Sequence, residues 1–310
     1  MSISKLYKNQ ITILKSAGID SAEIDVQVLI EFVSKKSREF LLAHPEYKLS
    51  KNELKKLMIC VDRRKSYEPI AYIIGKKEFF GNDFLLTKDV LIPRPETEML
   101  VEEAIEFVKK YCLRMKDKNF SLRSKNTIRI LDVGTGSGNI IISIAKYLKN
   151  NPLRFKVIDS NLTFCASDIS QRSLKIAKKN AEKHRVEKLV KFIRSDLFDQ
   201  INAKYYDLIL ANLPYVPEDN SKIKNKKSKF KNRELSYEPK LAIFADDNGM
   251  TVIKKFLVQA KNRLNSGGVI LIEVDPRNAK SLAKFTAKLF ASFEIIKDYY
   301  YKDRFIKISD

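Results

Sequence analysis

Ile128-Arg129-Ile130-Leu131-Asp132-Val133-Gly134-Thr135-Gly136-Ser137-Gly138-Asn139-Ile140 is the stretch on which the fold turns. An apolar run ends on an acid, passes through three alternating glycines and opens a second apolar run. That order predicts a strand, a tight loop and a helix. Glycines there let the backbone approach a ligand with no Cβ in the way. The dinucleotide fingerprint requires G-x-G-x-x-G, and the spacing here is G-x-G-x-G. No G-K-[ST] follows, which excludes a phosphate-binding P-loop.

Working outward, strand and helix patterns alternate. Strands are predicted at 128–133, 164–167, 190–193, 208–211 and 269–274, and helices at 140–148, 173–183 and 251–264. The alternation predicts an α/β, doubly wound sheet. Glu294–Lys297 and Arg304–Ile308 read as a terminal antiparallel hairpin.

Residues 1–74 read differently, as a helical bundle. Leu6, Ile13, Leu14 and Ala17 recur at helical spacing before Gly18, and Ile24, Val28, Leu29 and Phe32 do so after the Asp20-Ser21 cap signal. Ser50-Lys51-Asn52-Glu53 is a capping-box pattern. In 75–95, Phe79-Phe80-Gly81-Asn82-Asp83-Phe84 predicts a β-hairpin linker. Residues 96–310 form the large domain, with a helix from Glu98 to Lys110 and a polar loop over 113–126.

Composition is that of a globular chain: 310 residues, 44% hydrophobic and 31% charged. No apolar run approaches the length of a membrane helix. Cys60, Cys112 and Cys165, with His44 and His184, make no disulfide or metal pattern, so a reducing cytoplasm and metal-free chemistry are expected. The net charge of +21 favours anionic partners. It also follows from a Lys-, Asn- and Ile-rich composition, so charge alone names no partner. Seven of the thirteen residues from Ser221 to Arg233 are Lys or Arg, suiting either a phosphate-bearing partner or a solvated loop.

Three strand ends complete a site. G-x-G-x-G after an acidic strand end is the usual loop of S-adenosylmethionine (AdoMet)-dependent methyltransferases. Asp132 is expected to hold that loop or the methionine ammonium, and Gly134, Thr135, Gly136, Ser137 and Gly138 to line the cofactor. An acid at the end of the next strand should hold the ribose hydroxyls. Asp159 has the usual spacing, but Asp168 ends an apolar run and precedes a well-formed helix, so Asp168 is favoured. Asp196, beside Leu197, is placed to face the adenine. Ala211-Asn212-Leu213-Pro214-Tyr215 follows the fourth strand, where open α/β sheets put ligands. Acceptors from the Asn212 side chain and a backbone carbonyl near Leu213 can grip both N–H bonds of a planar amine. Tyr215 can cover its flat face. Asn212, Pro214 and Tyr215 are the candidate catalytic residues, and Asn212, Leu213, Pro214, Tyr215 and Arg94 the candidate substrate contacts.

With these motifs the chain closely resembles the HemK/PrmC family of peptide-chain release factor glutamine N5-methyltransferases. Ala17-Gly18-Ile19-Asp20-Ser21, Ala43-His44-Pro45-Glu46 and Pro69–Gly75 look like its N-terminal domain. Leu91-Ile92-Pro93-Arg94-Pro95-Glu96-Thr97-Glu98 and Tyr237-Glu238-Pro239-Lys240-Leu241-Ala242 look like two further family elements. The resemblance implies a seven-stranded, Rossmann-like AdoMet-dependent methyltransferase domain in which Gly134 to Gly138, Asp168, Leu197 and Asn212 line the cofactor site. It implies methyl transfer to the glutamine of the Gly-Gly-Gln loop of class-I release factors, with S-adenosylhomocysteine as product. It also implies that residues 1–74 grip the release factor, in a monomer for which nucleic-acid contact is not required. Two departures stand out. Leu213 replaces the usual first proline, giving the Asn-Leu-Pro-Tyr of rRNA adenine dimethyltransferases, so an N6-adenine methyltransferase on rRNA or DNA is the alternative. Glu273-Val274-Asp275-Pro276 replaces a Glu-Ile-Gly sequence, in a place expected to lie toward the sheet edge and to matter less.

Overall fold

A computed structural model describes residues 2–114, 127–151, 162–202, 205–217 and 233–309. Asp159, most of the 113–126 loop and the basic run up to residue 232 lie outside the described residues. The chain divides into two compact units.

The first unit comprises Met1–Lys76 with the described residues 233–238. Its helices are α1 (Ile3–Ser16), α2 (Ala22–Ser34), α3 (Arg38–Ala43), α4 (Lys51–Lys65) and α5 (Ile70–Ile74). Gly18, at φ +85°, turns the chain after α1, and the Ser50–Glu53 capping box opens α4. On α2 the sequence reading chose the wrong stripe. Ile24 and Phe32 are exposed, and the core takes Ala22, Val26, Leu29, Ile30 and Val33. Two apolar stripes compete on that helix, and α4 covers only one. A buried polar knot accompanies the core. Arg64, 2% exposed, donates to Asp25 Oδ2 (2.6 Å) and pairs with Glu234 Oε1 (2.5 Å). Tyr237 donates to the Ser66 carbonyl (2.6 Å).

The second unit starts at Lys77, within a hairpin of β1 (Lys76–Phe79) and β2 (Asn82–Leu85). Its two turn residues, Phe80 and Gly81, both have positive φ, the conformation that matches strand twist in a two-residue hairpin. Phe79 and Phe84 meet edge to face beneath it. Next comes α6 (Glu98–Arg114), four residues longer than the sequence predicts.

The seven-stranded sheet uses β3 (Ile128–Val133), β4 (Leu162–Asp168), β5 (Val190–Arg194), β6 (Tyr206–Ala211), β9 (Leu264–Glu273), β10 (Ser292–Lys297) and β11 (Asp303–Ser309). Two short strands, β7 (Val216–Pro217) and β8 (Phe244–Ala245), pair separately. The order is β5-β4-β3-β6-β9-β11-β10, with only β11 and β10 antiparallel to their neighbours. Helices α7 (Asn139–Asn150), α8 (Gln171–Lys183) and α9 (Thr251–Ala260) supply crossovers. The sheet grows one way from β3 to β4 and β5, and the other way to β6 and β9. The strand order therefore reverses at β3, and the carboxyl ends there open a crevice, the usual ligand position in such sheets. Among the described residues no helix is long and apolar enough to cross a membrane.

Candidate active site

The crevice is a cleft of about 280 Å³ at the ends of β3, β4 and β6. Its floor is the glycine loop. Gly134 and Thr135 both donate backbone N–H bonds to the Ser167 carbonyl (2.8 and 2.9 Å), which ties the loop to β4. Gly134, Gly136 and Gly138 all have positive φ. A Cβ at Gly138 would come within 2.6 Å of Ile142, so that glycine lets helix and loop pack. A Cβ at Gly136 would meet nothing within 4 Å: the backbone is bare where it faces the cleft. Asn180 of α8, fully buried, braces the loop by donating to the Ser137 and Leu85 carbonyls and accepting from Leu85 N–H.

Two acids serve this loop. Asp132 is wholly buried behind it and does not line the cleft. The Thr135 hydroxyl donates to its Oδ2 (2.6 Å), while Oδ1 has no partner among the described residues. Burial pushes its carboxyl up to about 7, against the Thr135 bond and with help from the nearby Asp168 charge. Asp168 ends β4 and does line the cleft. It accepts from Gly136 N–H (2.9 Å) and Ser170 N–H (2.8 Å). Burial raises its carboxyl and these two bonds hold it down. Asp196 and Leu197 line the cleft after β5. Asp196 pairs with Lys255 (2.8 Å) on the surface, and Leu197 sits at φ +46°, a strained value for leucine. Bare backbone, apolar walls from Val133, Ile140 and Ile169, and acids at two adjacent strand ends fit a cationic nucleoside of the AdoMet type.

Asn212, Leu213 and Pro214 line the opposite side, beside Pro93, Arg94 and Thr97. Asn212 Nδ2 donates to Thr97 Oγ1 (3.1 Å), and Thr97 donates to Glu273 Oε2 (2.7 Å). The Tyr215 hydroxyl donates to Glu273 Oε1 (3.0 Å). Thr97 and Glu273 are each 1% exposed. Burial raises the Glu273 carboxyl, opposed by the Thr97 and Tyr215 bonds and the Arg304 charge. Burial and the Glu273 charge raise the Tyr215 phenol in turn.

Several of these roles escaped the sequence. Thr97, readable as a helix cap, ends a 3-10 turn and turns its hydroxyl to Glu273 instead. Glu273 is not near the sheet edge: β9 lies between β6 and β11, and its last residue reaches Tyr215 directly and Asn212 through Thr97. Leu213 is buried, and its Cδ2 occupies the space a Cβ on Gly134 would need (2.9 Å), which joins the two loops. Gly249, at φ +87°, lies so close that a Cβ would fall 1.9 Å from the Tyr215 carbonyl. The run Asp246-Asp247-Asn248-Gly249 was its one sequence signal. Tyr215 itself does not line the cleft, whereas Leu241 and Ala242 do.

The chain is similar to known methyltransferases. Residues 5–75 match the model of the PrmC N-terminal domain, and residues 124–302, more than half of the chain, match a methyltransferase domain. A "release factor glutamine methyltransferase" of Coxiella burnetii is 35% identical over 88% of this chain and 86% of its own. A "bifunctional methyltransferase" of Rickettsia bellii is 31% identical over 99% of this chain and 55% of its own. The chain thus spans about half the length of the Rickettsia proteins it matches. In fold alone it is similar to the hMettl16 catalytic domain solved with an RNA hairpin (TM-score 0.50, 16% identity, 90% of this chain and 92% of that one).

Proposed function

The chain belongs to the release factor glutamine methyltransferase family, and from that premise we propose that it methylates a glutamine side-chain amide in the Gly-Gly-Gln loop of class-I release factors, in the cytoplasm, with AdoMet as donor. The observation carrying the proposal is that Gly134–Ser137, Asp168 and Asn212–Pro214 line one cleft.

AdoMet bound there supplies an electrophilic methyl group whose sulfonium departs as a neutral thioether. In this reading Gly134 to Gly138 hold its chain, Asp168 its ribose hydroxyls, and Asp196 and Leu197 border its adenine, while Asp132 holds the loop itself. An amide nitrogen is a poor nucleophile because its lone pair is delocalised into the carbonyl. Asn212 Oδ1 accepts one N–H of the substrate amide and the Leu213 carbonyl the other, which aims the nitrogen. Pro214 fixes the turn, and Tyr215 is held by Glu273 behind it. Orientation of this kind supplies on the order of 7–11 kcal/mol in well-aligned cases, and because the methylated nitrogen is a strong acid, its extra proton passes to solvent without a strong base.

Residues 1–74 are assigned to gripping the release factor, and the match of 5–75 supports that over nucleic-acid reading. The test is labelled AdoMet with a release factor, its Gln-to-Ala variant, or rRNA. Label on the wild-type factor alone is expected. Label on RNA and none on protein would transfer the assignment to adenine methylation, the reading that Leu213 favours.

A further inference from the structure

The structure assigns Thr97 and Glu273 a positioning role: together they decide which end of the Asn212 carboxamide faces the cleft. As a carboxylate, the form that the Thr97 and Tyr215 hydroxyls and the Arg304 charge favour against burial, Glu273 has lone pairs and no proton, so it only accepts. Both oxygens of Glu273 are occupied, one by the Thr97 hydroxyl (2.7 Å) and one by the Tyr215 hydroxyl (3.0 Å). Thr97 has a single hydroxyl proton, and it is spent on Glu273. Toward Asn212, 3.1 Å away, Thr97 can only accept. The –NH₂ end of Asn212 must therefore turn to Thr97, and its Oδ1 to the other side. Reversing the amide would set two oxygens against each other at that distance with no proton between them, at a Thr97 hydroxyl that is itself buried. The chain of constraint runs from acid to hydroxyl to amide.

The assignment rests on the proposed glutamine methylation, where Asn212 must present an acceptor to the substrate N–H. A reversed carboxamide would present a donor to a donor. Glu273→Gln breaks the constraint while keeping the shape. Its own –NH₂ can donate to Thr97, which frees the Thr97 proton for Asn212 Oδ1 and lets the amide turn. Thr97→Val removes the bridge, and Thr97→Ser retains it.

Two readouts test this. In protein labelled with ¹⁵N at asparagine side chains, the Asn212 resonance is identified by its loss in Asn212→Asp. The wild type should show one Asn212 amide proton protected from exchange. Thr97→Ser should keep that protection, and Thr97→Val and Glu273→Gln should lose it. In methyl transfer to a release factor, Glu273→Gln and Thr97→Val should lower kcat by about 10²-fold, the scale of a lost or misplaced transition-state contact. KM for the factor and AdoMet affinity should stay within about threefold, and Thr97→Ser should restore kcat to within about threefold. Unchanged kcat in Glu273→Gln, or a loss confined to KM, would overturn the role. So would unchanged Asn212 protection in Thr97→Val, or in Glu273→Gln should Thr97→Val fail to fold. If wild-type protein labels no release factor, the proposed function fails, and the Asn212 resonance still decides the orientation.

Discussion

Substituting Gly249 by alanine should damage methyl transfer from a position that touches neither ligand. The new Cβ would lie 1.9 Å from the Tyr215 carbonyl oxygen, where real Cβ contacts stay beyond 3.0 Å, so the backbone must yield by about 1 Å. The residue also sits at φ +87°, where a Cβ costs roughly 1–2 kcal/mol. Overpacking adds about 1–3 kcal/mol, for a total loss of roughly 3 kcal/mol. Tyr215 is tied through Glu273 to Thr97 and Asn212, so a displaced carbonyl misplaces the acceptor loop. A 1 Å misplacement costs about 10²-fold in rate. Gly267→Ala is the control: φ is +70°, but nothing lies within 4 Å, so only the torsional cost remains. Thermal melts, AdoMet calorimetry and single-turnover transfer to a release factor make the comparison. Gly249→Ala should turn over about 10²-fold slower than Gly267→Ala, with AdoMet affinity within a few-fold. Turnover within twofold of the control would refute the reasoning.

Asn212→Ala should abolish transfer while AdoMet still binds, measured by label incorporation and calorimetry. Asp132 gives a pH signature. Its carboxyl titrates near 7 in the fold and near 4 unfolded, so the folded state binds the proton more tightly between those values. Its contribution to stability is full below about 4 and is lost as pH rises through 7. Relative to Asp132→Asn, the wild-type melting temperature should therefore fall between pH 5 and 7 and level off above. Arg64→Ala should destabilise the helical unit by about 3–5 kcal/mol, because Asp25 is left charged and buried. Adding Asp25→Asn should recover part of that loss in a double-mutant cycle.

What the sequence disclosed was local. The acid and glycines of 132–138 announce a strand, loop and helix because each conformation needs its own residue type. Ser50 and Glu53 declare a helix start for the same reason. The acceptor loop was legible at Asn212 because a polar residue follows an apolar strand. Its support was not legible, since Thr97 and Glu273 are 176 residues apart and meet only through the sheet. Glu273 reads as lying toward the sheet edge, where it would matter less. Yet the hairpin's second strand, not β9, extends the sheet, and β10 becomes the edge. Asn180 reads as one more polar residue on a lysine-rich helix, and its burial comes from the hairpin and glycine loop that close over it. On α2, two stripes of similar hydrophobicity left the choice to α4.

The packing of Leu213 against Gly134 limits the order in which the sequence can change. A Cβ at 134 would press on Leu213 Cδ2 at 2.9 Å and sit at φ +75°; shortening 213 first relieves the contact and leaves the backbone strain, and the buried void it opens costs about 2–5 kcal/mol. The two positions are thus epistatic, with Leu213→Ala a permissive step that reduces the cost of Gly134→Ala. A lineage that varies its acceptor motif here alters, in the same step, which substitutions its donor loop can tolerate.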